Sequence, residues 1–243
     1  MFDRSIIDAA KAHALAEFPK EACGVIVGNV YLPCENIADD PTATFLIQSS
    51  LVEAYIISEQ LQGVIHSHPF AKLTELSSPS ATDITGQMNT GVPWGIVDTD
   101  GSFARDPYWF GDPLLDEPLI GTEFHHGVRD CYVAVRKWFW QKRGIKLTDI
   151  PRDDKWWVNS PSLYVEHFER CGFQRISLRD IQDGDCLLGK VNAKVVNHAA
   201  VYLSNELDGL GTLYHHLPGR LSRRESAAPW LSRADMIVRY NAN

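Results

Sequence analysis

Two histidines one residue apart, His66 and His68 in His-Ser-His-Pro, are followed by Ser80 and Asp83 in Ser-x-x-Asp. Side chains on an extended segment alternate with period two, so both imidazoles point the same way if the segment is a strand. Two imidazoles and one carboxylate, with a fourth position left to water, make the ligand set of a catalytic rather than a structural zinc site. An acid upstream, Glu21, adds to the set. A second group of reactive residue types lies further on. Cys131 stands at the start of a helical pattern, where the first amides and the helix dipole favour a thiolate. His198 begins an apolar strand, and His215 and His216 lie one strand later. Adjacent antiparallel strands can bring such histidines side by side. A histidine facing a thiol can take its proton, and a third polar group can fix that imidazole.

The first set resembles the JAB/MPN (JAMM) metallopeptidase family, whose pattern is an upstream Glu, then His-Ser/Thr-His-Pro, then Ser-x-x-Asp. The resemblance implies that His66, His68 and Asp83 hold Zn2+, that Glu21 carries the proton of the activated water, and that Ser80 hydrogen-bonds the developing oxyanion. Eleven residues separate His68 from Ser80, more than the usual family spacing. A surface loop between residues 70 and 78 absorbs the excess.

The second set resembles the NlpC/P60 family of papain-like cysteine peptidases, on Asp130-Cys131, the strand from His198 to Tyr202, and His215. Asp183-Gly184-Asp185 matches the Gly-Asp that precedes that family's central strands. The resemblance implies Cys131 as nucleophile, His198 as base and His215 as orienting residue, with His216 as the alternative third member. Two positions depart from the family. Tyr132 follows the cysteine where many relatives carry Ser. Phe124 stands where peptidoglycan-cleaving members usually carry Tyr, and Phe cannot donate a hydrogen bond to an oxyanion. Losing one such donor costs on the order of 10²-fold in rate. Gly209-Leu210-Gly211 lengthens the connection between His198 and His215.

The elements that must carry these residues can be read from periodicity. Ile6, Ile7, Ala10, Ala14 and Leu15 have helical spacing within residues 3–17, ended by Pro19. Residues 23–30 read as a buried strand, 33–41 as turns, 44–47 as a short strand, and 50–61 as a helix capped by Ser50. The run Gly63-Val64-Ile65 delivers the two histidines to a strand end, and Ser80 opens a helix with Asp83 in its first turn. Residues 94–97 and 102–103 read as strands around an Asp100-Gly101 turn. This half is predicted as an α/β domain with a mixed sheet. The proline-rich, acidic stretch 107–118 reads as a linker region. Beyond it come helices at 131–140 and 160–171, then strands at 186–190, 199–203 and 212–216. That order predicts an α+β, papain-like domain. The expected boundaries are 1–110 for the JAMM-like domain, 111–118 for the linker, and 119–243 for the NlpC/P60-like domain.

Composition narrows the function classes. Of 243 residues, 44% are hydrophobic and 22% charged, as in a soluble globular protein. No apolar run approaches the ~18 residues of a membrane span, and the N-terminus lacks the layout of a secretory signal. The five cysteines form no Cys-x-x-Cys pair, which argues against a disulfide framework. Residues 1–112 carry 5 basic and 15 acidic side chains, a net of −10, and the remainder 18 and 16, a net of +2. An acidic first half argues against nucleic acid as a partner. The basic segment from Arg220 to Arg239 is either a solvated face or a docking surface for an acidic partner.

A JAMM domain followed directly by an NlpC/P60 domain resembles the tail assembly family of lambda-type, long-tailed bacteriophages. Segments 33–38, 118–121 and 216–224 resemble that group too. The resemblance implies other phage tail tip proteins and peptidoglycan stem peptides as partners, and the host cytoplasm and the virion tail tip as locations. Two function classes stay open. One is a bifunctional peptide hydrolase. The other is a structural assembly factor whose sites are vestigial or only bind a peptide. A cellular isopeptidase acting on ubiquitin-like tags ranks last, because it would lack the thiol domain.

Overall fold

The computed structural model describes residues 2–204 and 211–241. Gly209 and Leu210 therefore lie outside the described residues. The chain divides into two compact units. One contains residues 1–79 and 85–114, the other residues 80–84 and 115–243.

In the first unit, helix α1 (Arg4–Glu17) leads to strands β1 (Cys23–Val27) and β2 (Val30–Cys34), then helix α2 (Ser49–Ile57) and strand β3 (Leu61–Pro69). Helix α3 (Ala81–Thr90), of which residues 85–90 belong to this unit, strand β4 (Trp94–Thr99) and strand β5 (Tyr108–Phe110) follow. The sheet order is β2-β1-β3-β4-β5, mixed because β3 and β4 run parallel while the other neighbours are antiparallel. Ile6, Ala10 and Ala14 of α1, one turn apart, pack with Ile26, Ile65 and Val97 on one sheet face. Since residues alternate across a strand, His66 and His68 project from the opposite face.

Several sequence readings change here. Residues 23–30 are not one strand. Gly28 and Asn29 have φ of 56° and 61°, a left-handed pair that turns the chain tightly into β2. Residues 44–47 form no strand, and Asn36 fastens this stretch instead, donating to Thr44 O and accepting from Leu46 N. Residues 102–103 form no strand either, since a Thr99–Ala104 bridge closes the turn there. β5 arises from residues read as linker, where Tyr108, Trp109 and Phe110 have strand propensity that the neighbouring prolines and acids obscured.

In the second unit, helix α4 (Cys131–Arg143) is followed by the short helix α5 (Leu163–His167) and strands β6 (Phe173–Ile176), β7 (Cys186–Gly189), β8 (His198–Leu203), β9 (Thr212–His215) and β10 (Arg223–Ser226). Helix α6 (Ala228–Leu231) and strand β11 (Met236–Tyr240) close the described chain. The sheet order is β10-β9-β8-β7-β11-β6 with antiparallel neighbours. Tyr132, Val135, Trp138 and Phe139 of α4 pack on Val201, Tyr214 and Val238. Helix α4 ends at Gly144, whose φ of 67° supplies the left-handed C-cap. The helix expected over 160–171 shrinks to α5. The basic segment forms β10, α6 and β11, with Arg239 paired to Asp185 and Arg223 to Glu225, while Arg220, Arg224 and Arg233 are exposed.

Candidate metal centre and thiol site

Strand β3 carries His66 and His68 beside β1. Cys23 is paired with His66, and the next step toward the N-terminus is held by Ser67 N donating to Ala22 O at 2.9 Å and Ala22 N donating to Ser67 Oγ at 2.8 Å. Continuing that register sets Glu21 opposite His68, on the face that bears both imidazoles. Glu21 is buried. One ligand atom each of His66, His68 and Asp83 lie within 4.8 Å of one another. The two Nε2 atoms are 3.1 Å apart. Two nitrogens ~2.0–2.1 Å from one tetrahedral ion would stand about 3.3 Å apart, so the pair has the spacing of joint ligands.

His68 is held in the tautomer such a ligand needs. Ser77 Oγ lies 2.6 Å from Asp98 Oδ1, 3.0 Å from His68 Nδ1 and 2.9 Å from Tyr108 Oη. A carboxylate only accepts, so the Ser77 hydroxyl donates to Asp98 and accepts from His68 Nδ1–H. The His68 lone pair is then on Nε2. Ser77 comes from the long stretch between His68 and Ser80, which therefore contributes to the centre. Ser80 is tied to Asp83. Its amide and hydroxyl both donate to Asp83 Oδ2 at 2.8 Å, and its Oγ accepts from Asp83 N at 3.1 Å. The pair is a reciprocal helix cap that also orients the carboxylate.

In the second unit Asp130 is the N-cap of α4, accepting from Val133 N at 2.9 Å and from Gly127 N at 2.9 Å. Arg152 Nε donates to Asp130 Oδ2 at 2.9 Å, and its Nη1 donates to Asp149 at 2.8 Å. Burial works against the Asp130 charge, but Arg152 and His126 hold that carboxyl well below the usual range. Cys131 is placed at the first turn of α4 and lines a cavity of about 340 Å³ together with His198, Tyr164, Trp156, Trp157 and Phe124. Its Sγ lies 3.1 Å from Tyr164 Oη and 3.8 Å from the carbonyl of Asn197, the residue before His198. Among the described residues these are its hydrogen-bond partners, so the thiol does not rest on the imidazole. Burial and the Asp130 charge push the thiol up to about 11. The helix N-terminus alone would have favoured the opposite.

His198 Nε2 lies 3.0 Å from His215 Nδ1. His215 Nε2 lies 3.1 Å from Glu225 Oε1, with the carboxylate off the N–H axis. Trp230 donates to the same carboxylate oxygen at 2.7 Å and packs against both imidazoles, its ring 5.4 Å from His198 and 4.8 Å from His215. By its charge alone, without a hydrogen bond, the Glu225 carboxylate favours the tautomer of neutral His215 that carries its proton on Nε2. His215 Nδ1 then accepts from His198 Nε2–H, and the lone pair of His198 is left on Nδ1, as a base requires. Burial, then His215, bring His198 down to about 3. His216 is turned to the other strand face, where it meets Phe124 edge-on at 5.3 Å. Glu225, Trp230, Tyr164, Arg152 and Ser77 escaped the sequence reading. Cross-strand pairing brings in Glu225, two positions along β10 from Arg223, which pairs with His215. Nothing local in the sequence marks it.

Comparison with known proteins assigns the two halves of the chain to two families. Residues 3–108 match the family described as prokaryotic homologs of the JAB domain, and residues 107–239 match the NlpC/P60 family. Two curated relatives align along the chain. Tail tip assembly protein K of Escherichia phage N15 is 34% identical over 245 residues, spanning 96% of this chain and 93% of the relative. Tail tip assembly protein K of Escherichia phage lambda is 33% identical over 186 residues, spanning 75% and 83%. The chain belongs to the tail tip assembly protein K family. Among solved structures, an NLP/P60-family lipoprotein of Staphylococcus aureus aligns at 20% identity and TM-score 0.33, over 51% of this chain and 36% of that one. The NlpC/p60 domain of the peptidoglycan hydrolase SagA aligns at 21% identity and TM-score 0.33, over 50% and 89%.

Proposed function

We propose that this chain works at the tip of a bacteriophage tail as a peptide hydrolase with two sites, a zinc centre within residues 1–110 and a thiol centre within 119–243. The thiol centre cuts peptidoglycan stem peptides between D-glutamate and the diamino acid. Other tail tip proteins are its assembly partners. The host cytoplasm is where it acts during assembly, and the tail tip is where it meets peptidoglycan. The carrying observation is the chain Glu225–His215–His198, whose last residue lines the cavity that Cys131 also lines. A buried ion-pair network would not need three side chains ordered to fix one tautomer.

The thiol chemistry follows from these positions. The Cys131 S–H turns from the Asn197 carbonyl, and its proton passes to His198 Nδ1. The sulfur lone pair forms the S–C bond while the carbonyl π pair moves onto oxygen. Collapse breaks the C–N bond, and the imidazolium returns the proton to the leaving amine. Water, deprotonated by the same imidazole, then attacks the thioester carbonyl, the C–S bond breaks, and the imidazolium returns its proton to the Cys131 sulfur. Since the resting thiol is protonated and His198 neutral, His198 acts as a general base rather than as half of a preformed ion pair.

At the other site His66, His68 and Asp83 hold zinc, Ser80 orients Asp83, Ser77 orients His68, and Glu21 holds or moves a proton. A zinc ion bound there would supply Lewis acidity and a water of lowered pKa. Incubating the chain with purified peptidoglycan and identifying the released peptides by mass tests the main reading. Wild type should release stem-peptide fragments, and Cys131→Ala should release none. No release by zinc-loaded wild type would leave the structural assembly role instead.

A further inference from the structure

We propose that Tyr164 is a catalytic residue of the thiol site, its hydroxyl donating a hydrogen bond to Cys131 Sγ as the sulfur becomes negative and then reaching the oxyanion of the adduct. This inference rests on Cys131 being the nucleophile. The geometry comes first: Tyr164 Oη stands 3.1 Å from Sγ, inside the cavity that also contains His198. Donor roles are set by the neighbours. Asn197 O, 3.8 Å from Sγ, can only accept, so S–H is directed there. The Tyr164 hydroxyl is therefore the donor toward sulfur.

The hydroxyl is fixed by its own supports. Ser162 caps α5, accepting from Val165 N at 3.2 Å, and its hydroxyl donates to Val196 O at 2.7 Å. That bond ties the helix to the segment leading into His198. The Tyr164 ring is buried edge-on between Tyr132, at 6.0 Å, and Trp156, at 6.2 Å. A buried phenol that made no hydrogen bond would be unfavourable. A buried phenol aimed at the one sulfur on the first turn of α4 has a chemical use. It also answers the Phe124 problem. Phe124 lines the same cavity without a hydroxyl, and Tyr164 supplies a hydroxyl from a different element. Tyr132, which replaces the family's smaller residue, is one wall of the slot that holds it. Once sulfur has bonded to the carbonyl carbon, an oxygen one bond further on falls within reach of a donor already 3.1 Å from Sγ. No proton leaves Tyr164 in this role. It lends a hydrogen bond while the proton of Cys131 passes to His198.

The test is Tyr164→Phe in the full-length chain, which keeps the ring and removes only the hydroxyl. Alkylation of Cys131 by iodoacetamide, followed by mass on the peptide containing it, is measured from pH 7 to 12, a range that holds the thiol's raised midpoint of about 11. Thiolate absorbance, taken as the difference from the Cys131→Ala chain, gives the ionisation directly. In the variant, alkylation at fixed pH should slow on the order of tenfold and the ionisation midpoint should rise by about one unit. Stem-peptide cleavage should fall in kcat more than it rises in KM. Superimposed wild-type and variant profiles would overturn the inference. Wild-type chain whose thiol titrates and alkylates as expected yet cuts no stem peptide would strike the peptidase reading instead. An unchanged melting temperature in the variant shows that the comparison is between folded chains.

Discussion

His215 Nδ1 stands 3.0 Å from His198 Nε2, and the far nitrogen of His215 faces Glu225. This places three residues from three adjacent strand positions of the sheet in one proton-ordering chain. Replacing His215 by Ala should lower kcat for stem-peptide cleavage on the order of 10²-fold or more, because His198 loses the partner that fixes its base nitrogen. Glu225→Gln should cost less, since Gln can accept from His215 but does not compel that tautomer. Steady-state kinetics of the two variants check the order. An equal or larger loss for Glu225→Gln would refute the relay.

Arg152 joins two carboxylates that are both buried, Asp130 and Asp149, and Arg136 meets Asp149 from the other side at 2.7 Å. Removing one partner of such a network strands a charge, at a cost of about 3–5 kcal/mol. Arg152→Met should therefore lower the unfolding free energy of the second unit by that amount, with the urea midpoint falling accordingly. It should also push the Cys131 thiol further up, since Asp130 then acts on it unopposed. Urea unfolding followed by tryptophan fluorescence measures the first effect. A loss below about 1 kcal/mol would mean that the network is solvated.

The same unit should be sensitive to mild acid. His198, His215 and His216 are all held below the usual imidazole value, burial being the first cause in each. The unfolded chain therefore takes up these protons first. The stability present above about pH 6.5 is lost progressively as pH falls toward the folded value, about 3 for His198. Each histidine contributes up to about 1.4 kcal/mol per pH unit in that window. Glu117, held at about 2 against burial by Arg129 and Lys137, gives way only below the ordinary carboxylate range near 4.5. Thermal melts from pH 8 to 4.5 should fall from about pH 6.5 downward. A curve flat to pH 4.5 would contradict the neutral, buried imidazoles.

For the metal centre, His68→Ala should abolish zinc binding, measured as metal content after reconstitution. Ser77→Ala should leave the three ligands in place and weaken zinc by about 10–100-fold in chelator competition, because the Asp98–Ser77–His68 chain no longer fixes the imidazole. Equal affinity for Ser77→Ala and wild type would leave the serine as loop packing alone.

What the sequence made legible were the residues whose chemistry is local. His66 and His68 share a face because alternation in a strand is geometric. Cys131 begins α4 because Asp130 is a strong helix cap. The helix α1 and the strands β7, β8 and β9 followed from apolar periodicity. What stayed hidden depends on register between distant segments. Glu225 reaches His215 only through the pairing of β10 with β9, and its neighbours in sequence are arginines that read as a solvated patch. Ser77 lies in a stretch that looked like surplus loop. Tyr164 sits on a helix too short to leave a period. Residues 108–110 were masked by the prolines around them, and residues 44–47 have strand propensity but bond through Thr44 O and Leu46 N to Asn36 and through Leu46 O to the Ile37 amide. The thiol is the instructive case. A helix start argues for a low value, and only the burial of Cys131 beside Asp130 reverses it.

The central claim is that Cys131 and His198 form a working nucleophile and base. Its most direct test is cleavage of a synthetic stem peptide containing the D-glutamyl–diamino acid bond, with the zinc-free chain, Cys131→Ala and His198→Ala run in parallel. Cleavage at that bond by the zinc-free wild type, with none by either variant, is the predicted result. Cleavage that survives in Cys131→Ala, or its absence in a folded wild-type chain, would contradict it.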